Sequence, residues 1–182
     1  MSGRRSIAVA FVDAADPGLV ERLTGLINDV YVVAEDGLWR EGAMRTTTAE
    51  VARLIDAREL VAATVDGELA GSVQVRALSG RTGEFGLLAA DARYRGLGVG
   101  RELVVFVERH CRERGLRAMQ LELLVPREWR HPSKVFLDGW YRRMGYRVVR
   151  TTSVEDLQPA LAPLLATPCE FLVYEKPLDA GR

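Results

Sequence analysis

Three glycines within five residues, Gly96-Leu97-Gly98-Val99-Gly100, stand between a β-prone run and an amphipathic helical run. They limit what this chain can fold into more than any other feature. Residues 84–90 read as the strand. Residues 98–114 read as the helix, with Val99, Leu103, Phe106 and Val107 inward and Gly115 as its stop. Glycines at such a junction let the backbone approach a ligand closely, and the free amides of a helix start attract an anion. A pyrophosphate is the natural guest. A dinucleotide-type Gly-x-Gly-x-x-Gly loop fails here, because Arg101 occupies the third glycine position. A P-loop fails for want of Gly-Lys-Ser/Thr. The pattern Gln/Arg-x-x-Gly-x-Gly/Ala is met at every position by residues 95–100.

Around this junction the chain alternates short strands and helices without repeats. Residues 6–12 predict a strand. Residues 17–31 predict a helix with Leu19, Leu23, Leu26, Ile27 and Val30 on one face, capped by Asp16 before Pro17. Thr47 and Glu50 form a capping box opening a helix over 48–56. Strands at 60–65 and 69–76 flank Asp66-Gly67, a strong hairpin signal, and a turn at Ser79-Gly80 precedes the strand at 84–90. Residues 119–125 alternate as a strand, 133–144 form a helix stopped by Gly145, and 146–150 and 171–175 are closing strands. The Ala/Leu/Pro-rich stretch 153–167 between those two strands has room for a short helix. The order is β-α-α-β-β-β-α-β-α-β-β, an α/β layout in one domain over residues 1–182.

Charge narrows the function. Among 182 residues, 25 basic and 25 acidic side chains cancel, which argues against a general nucleic-acid or membrane-surface binder. Cys111 and Cys169 are too few for a disulfide framework, and neither they nor His110 and His131 have metal-ligand spacing. Arg4 and Arg5 are followed by no long apolar signal region, and no apolar run nears the roughly 20 residues that span a bilayer. A cytoplasmic protein without a metal is expected.

A second signature, Tyr141-Arg142-Arg143-Met144-Gly145-Tyr146, follows in the helix before the closing strands. With the glycine loop it makes nearly the whole chain resemble the GNAT superfamily of acetyl-CoA-dependent N-acetyltransferases. The resemblance implies a mixed, mostly antiparallel sheet flanked by helices, with acetyl-CoA as co-substrate. It places Leu88 and Ala90 beside the pantetheine arm and Arg95, Gly96, Gly98, Val99, Gly100 and Arg101 around the pyrophosphate. Relatives often hold pantetheine with an Asn near the start of the later helix. None stands there in this chain, so Ser133 and Lys134 are the nearest substitutes.

The implied reaction is attack of an amine on a thioester. An alkylammonium titrates near pH 10, so a base must first take its proton. The resemblance makes Glu84 the expected base, since several family members carry their catalytic Glu at the same offset from the loop. Its apolar neighbours Phe85, Gly86 and Leu87 are expected to raise its pKa. Glu122 is the reserve. Tyr141 occupies the family's general-acid position. On the acceptor side, Tyr31 and Trp39 offer stacking and Glu35, with Asp36 and Glu41, an attraction for a cationic amine, while Arg40 and Arg45 leave open an acceptor that also carries a carboxylate. His131 reads as a solvated loop residue. The expected partners are acetyl-CoA and a small-molecule amine, with neither nucleic acid nor membrane involved and a homodimer left open. The alternatives are a non-catalytic acyl-CoA-binding regulator and a protein N-acetyltransferase.

Overall fold

A computed structural model describes residues 5–14, 16–78 and 80–178. Arg4, in the basic start, and Ser79, in the expected turn, lie outside the described residues. The elements are β1 (Ile7–Phe11), α1 (Pro17–Ala34), α2 (Thr48–Asp56), β2 (Leu60–Val65), β3 (Glu68–Ala77), β4 (Thr82–Ala90), α3 (Val99–Glu113), β5 (Ala118–Pro126), α4 (Pro132–Arg143), β6 (Arg147–Ser153), α5 (Val154–Leu157) and β7 (Cys169–Pro177). This is the order read from sequence, with α5 added in the stretch that has room for a short helix.

Local chemistry accounts for the boundaries. Asp16 accepts the Leu19 amide at 2.9 Å and Pro17 opens α1. That helix runs three residues past its expected end, carrying Val32 and Val33 into solvent. Thr47 caps α2 by accepting the Glu50 amide at 3.2 Å, but the Glu50 carboxylate turns to the Thr46 hydroxyl, so the capping box is half made. Asp66 and Gly67 take φ of 51° and 87°, both left-handed, as a tight hairpin of matching twist requires.

The seven strands form one sheet in the order β1-β2-β3-β4-β5-β7-β6, antiparallel throughout except between β4 and β5. Alternation along β2 sends Val61, Ala63 and Val65 to a core under α3 and α4, and Leu60 and Ala62 to a second core under α1 and α2. The same alternation fails in β4. Phe85 lies in the α3 core, whereas Leu87 and Ala89 lie in the α1 core, so two odd-numbered neighbours face opposite ways. The cause is a bulge. Gln74 pairs with Gly86 and Ser72 with Ala89, leaving one extra residue on β4, and Leu87 adopts φ 47°.

The parallel pair is brief. β4 and β5 are in register only from Thr82↔Ala118 to Glu84↔Gln120. Beyond that β4 stays with β3 up to Gly71↔Ala90, while β5 follows β7 to Pro126↔Cys169. The sheet opens between them.

Candidate active site

One side of this opening is the glycine loop. Gly96 and Gly98 adopt φ of 85° and 88°, and Gly98 is the cap residue of α3. A Cβ at either would meet no atom within 4 Å, so the glycines are required by backbone conformation, and the space above them is open. Among the described residues, the amides of Gly96, Gly98, Val99, Gly100 and Arg101 find no backbone acceptor. No side chain caps the helix either. Five N–H groups without a backbone acceptor, at and just before a helix start, with the exposed side chains of Arg95 and Arg101 beside them, fit a pyrophosphate. Val99 contributes through its amide alone, because its side chain is buried in the α3 core. Leu88, half-buried, and Ala90, exposed, lie on the stretch of β4 that has left β5.

The opening leads into a cavity of about 670 Å³ reached by Glu84, Glu122, Tyr141, Tyr31, Arg45 and Lys134. Glu84 sits on β4 and Glu122 on β5, both on the strand faces opposite the α3 core residues Phe85, Leu121 and Leu123. Tyr141 comes from the α3–α4 side, among Phe85, Trp140, Tyr146 and Tyr174. Acid groups and tyrosine therefore reach the gap from opposite faces of the sheet.

The environment of Glu84 departs from expectation. Instead of apolar surroundings it has a partner on each oxygen. Arg76 donates to Oε1 through Nε at 2.9 Å and Nη2 at 2.6 Å, and Gln120 donates to Oε2 at 3.0 Å. Hairpin arithmetic could have found Arg76, since Arg76 and Glu84 face each other across β3 and β4. Glu122 is different. It is half-buried, accepts one hydrogen bond, from Gln158 at 2.7 Å, and its pKa is raised by burial first and by the Glu84 charge second. Tyr141 is buried, its hydroxyl has no hydrogen-bond partner among the described residues, and burial holds its pKa well above the usual tyrosine value.

The acceptor wall is also rearranged. Glu35, expected as a free anion, is buried with both oxygens engaged, by Lys134 Nζ at 2.6 Å and Trp39 Nε1 at 2.6 Å. Lys134, expected at the pantetheine arm, is thereby tied to the end of α1, and burial lowers its pKa against the pull of Glu35. Tyr31 and Trp39, expected to stack on an acceptor, face the Arg45 guanidinium at 5.0 and 5.9 Å. Burial pushes Tyr31 up to about 12. Ser133 donates its amide to His131 Nδ1 at 3.2 Å, making His131 the buried cap of α4 rather than a solvated residue. With Nδ1 accepting, the His131 proton belongs on Nε2, facing the Asp36 carbonyl at 3.0 Å. Among the described residues no three His, Cys, Asp or Glu side chains cluster as metal ligands, and no helix is long and apolar enough to cross a membrane.

The model of the Acetyltransferase (GNAT) family matches residues 26–146, well over half of the chain and inclusive of both signatures. The chain belongs to the GNAT acetyltransferase family. Solved GNAT structures share its fold at low identity. The PaiA N-acetyltransferase of Thermoplasma acidophilum, in complex with coenzyme A, is 15% identical with a TM-score of 0.72, over 94% of this chain and 99% of that one. An aminoglycoside 6'-N-acetyltransferase complexed with coenzyme A is 17% identical with a TM-score of 0.68, over 96% and 99%. The ribosomal-protein-S18-alanine N-acetyltransferase of Escherichia coli is 11% identical with a TM-score of 0.63, over 97% of each chain. Among curated proteins, none matches this GNAT chain in sequence.

Proposed function

We propose that this GNAT protein is a cytoplasmic N-acetyltransferase that moves an acetyl group from acetyl-CoA to a primary amine of a small molecule. The observation carrying the reading is one opening in the sheet with unpaired amides at one end and a carboxylate of raised pKa at the other. Acetyl-CoA supplies the activated acetyl thioester. The amides of residues 96–101 and the side chains of Arg95 and Arg101 hold its pyrophosphate, and the free edge of β4 at Leu88 and Ala90 lines its pantetheine arm. The neighbours solved with coenzyme A support this placement.

Glu122 is the base. Both oxygens of Glu84 are already engaged, by two guanidinium donors and an amide, so an incoming ammonium meets no free acceptor there. Glu122 keeps an oxygen free of hydrogen bonds among the described residues, and the Glu84 charge beside it strengthens its hold on a proton. It takes the ammonium proton directly or through one water. Tyr141 acts on the leaving thiolate. A thiol titrates near 8.5, well below a buried tyrosine, so the hydroxyl keeps its proton and stabilises the thiolate by a hydrogen bond.

The experiment is thiol release from acetyl-CoA with a panel of amines, over pH, in three proteins. Glu122→Gln should lower kcat/KM by roughly 10²–10⁴-fold and abolish the ascending limb of the pH profile. The wild-type limb should lie above the ordinary carboxylate range, because activity appears as Glu122 loses its proton. Glu84→Gln should remove a neighbouring negative charge and move that limb to lower pH. If Glu84→Gln abolishes the limb and Glu122→Gln keeps it, the base is Glu84.

A further inference from the structure

We propose that the acceptor amine also carries a carboxylate, and that Arg45 binds it. This rests on the acetyl-transfer reading and narrows its acceptor class. Arg45 stands between α1 and α2, where buried Asn28 fixes the backbone. The Asn28 Oδ1 accepts the amides of Arg45 and Thr46, both at 3.0 Å, and its Nδ2 donates to the Thr46 carbonyl at 3.1 Å. The guanidinium is thus delivered to the cavity from a fixed origin, between the rings of Tyr31 and Trp39. Its Nε is fully buried and has no hydrogen-bond partner among the described residues. Among the described residues no carboxylate forms an ion pair with it. Native structures leave few buried donors unsatisfied, and those few call for a missing partner.

The missing partner is an anion. Glu35 cannot serve, since Lys134 and Trp39 occupy its two oxygens. Glu35, Lys134 and Arg45 together leave this wall one positive charge in excess. Glu84 and Glu122 line another part of the same cavity. Arg76 and Arg150 stand beside those two carboxylates, so the contrast lies in what is left free. Among the described residues that is a guanidinium without a carboxylate partner at one wall and an unbonded Glu122 oxygen at the other. Such a cavity suits a molecule with a carboxylate and an ammonium, and it aims the ammonium at the base. A single guanidinium fork matches the two oxygens of one carboxylate.

The test compares acceptors as pairs, ω-amino acids of increasing length against their primary amides, with thiol release from acetyl-CoA as readout. In such pairs the distant change barely moves the amine pKa. The acid of the best-fitting length should exceed its amide in kcat/KM by roughly 10- to 100-fold, the size of one charge-assisted pair, chiefly through KM. Arg45→Gln should bring that ratio to about one, and Arg45→Lys should restore part of it by keeping charge without the fork. Amides acetylated as well as acids, or an unchanged ratio in Arg45→Gln, overturns the proposal while acetyl transfer stands. Should no amine be acetylated, the acetyl-transfer reading fails, and calorimetry on the coenzyme A complex decides the Arg45 site separately. N-acetylated ω-amino acids that bind more tightly than their amides, and lose that preference in Arg45→Gln, uphold it. Equal binding ends it.

Discussion

The two ends of the opening are made of different material. At the start of α3 the contacts offered are chiefly main-chain amides, with the exposed Arg95 and Arg101 side chains at their rim, and a conformation that glycine alone adopts easily sets the geometry. At the junction of α1 and α4 the contacts are long charged side chains, each fixed by another: Glu35 by Lys134 and Trp39, Arg45 by two rings. The first kind of site tolerates changes at its rim and fails when the backbone is obstructed. The second fails when either charge of the Glu35–Lys134 pair is removed, because its partner is then buried alone.

The sharpest test of that contrast is Glu35→Gln. It strands the Lys134 ammonium, whose side chain is 5% exposed, and removing one member of a buried pair costs about 3–5 kcal/mol. Chemical denaturation measures the loss. Its pH dependence has a definite sign. Without Glu35 the folded-state pKa of Lys134 drops further below its unfolded value. The unfolded chain then binds the extra proton over a wider window, and stability rises with pH across it. The deficit should narrow as pH rises toward the ordinary lysine range. A Glu35→Gln, Lys134→Met double variant should recover much of the loss. A single variant as stable as wild type would show that the pair holds nothing together.

A smaller effect is expected at the other end. Gly98→Asp places an anion and a Cβ at a left-handed position facing the unpaired amides, and should weaken coenzyme A binding in calorimetry by roughly 10²-fold. Leu97→Ser, at an exposed side chain in the same loop, should leave affinity within about 2-fold. Reversal of that ranking would mean that side chains, not backbone, read the phosphates.

The smallest is Tyr141→Phe, with kcat lowered by about 10-fold, one hydrogen bond to the thiolate. Packing against Phe85, Tyr146 and Tyr174 should keep the fold. An acyl donor with a more acidic thiol should depend less on the hydroxyl. An equal deficit with both donors assigns Tyr141 to positioning.

What could be read beforehand follows the same division. The glycine loop, the Asp66-Gly67 turn and the caps Asp16 and Thr47 are local statements, in which residue type fixes a torsion or a hydrogen bond a few positions away. The acceptor wall is not local. Glu35 and Lys134 are 99 positions apart, so nothing near either announces that the carboxylate expected to draw an amine is already paired. The partner of Glu84 was legible in principle from strand register. The reversal of facing along β4 was not, since Leu87 carries no sign that it will sit at φ 47°. His131 reads as solvated from its neighbours in sequence, because its burial depends on Asp36 and Trp129 approaching it.

The short register between β4 and β5 has a mechanical side. Among the described residues only three strand-paired positions, Thr82 to Glu84 against Ala118 to Gln120, join β4 to β5 in the sheet, with the Arg81 carbonyl accepting the Arg117 and Ala118 amides at its edge. Aromatic contacts of Phe85 with Tyr141 and Tyr146 reinforce the seam from one face. A sheet divided in this way parts most readily along its stitch, as a perforated page does. A molecule lodged in the slit would touch both halves and act as a clasp, making the protein hardest to pull open when its own substrate is plentiful.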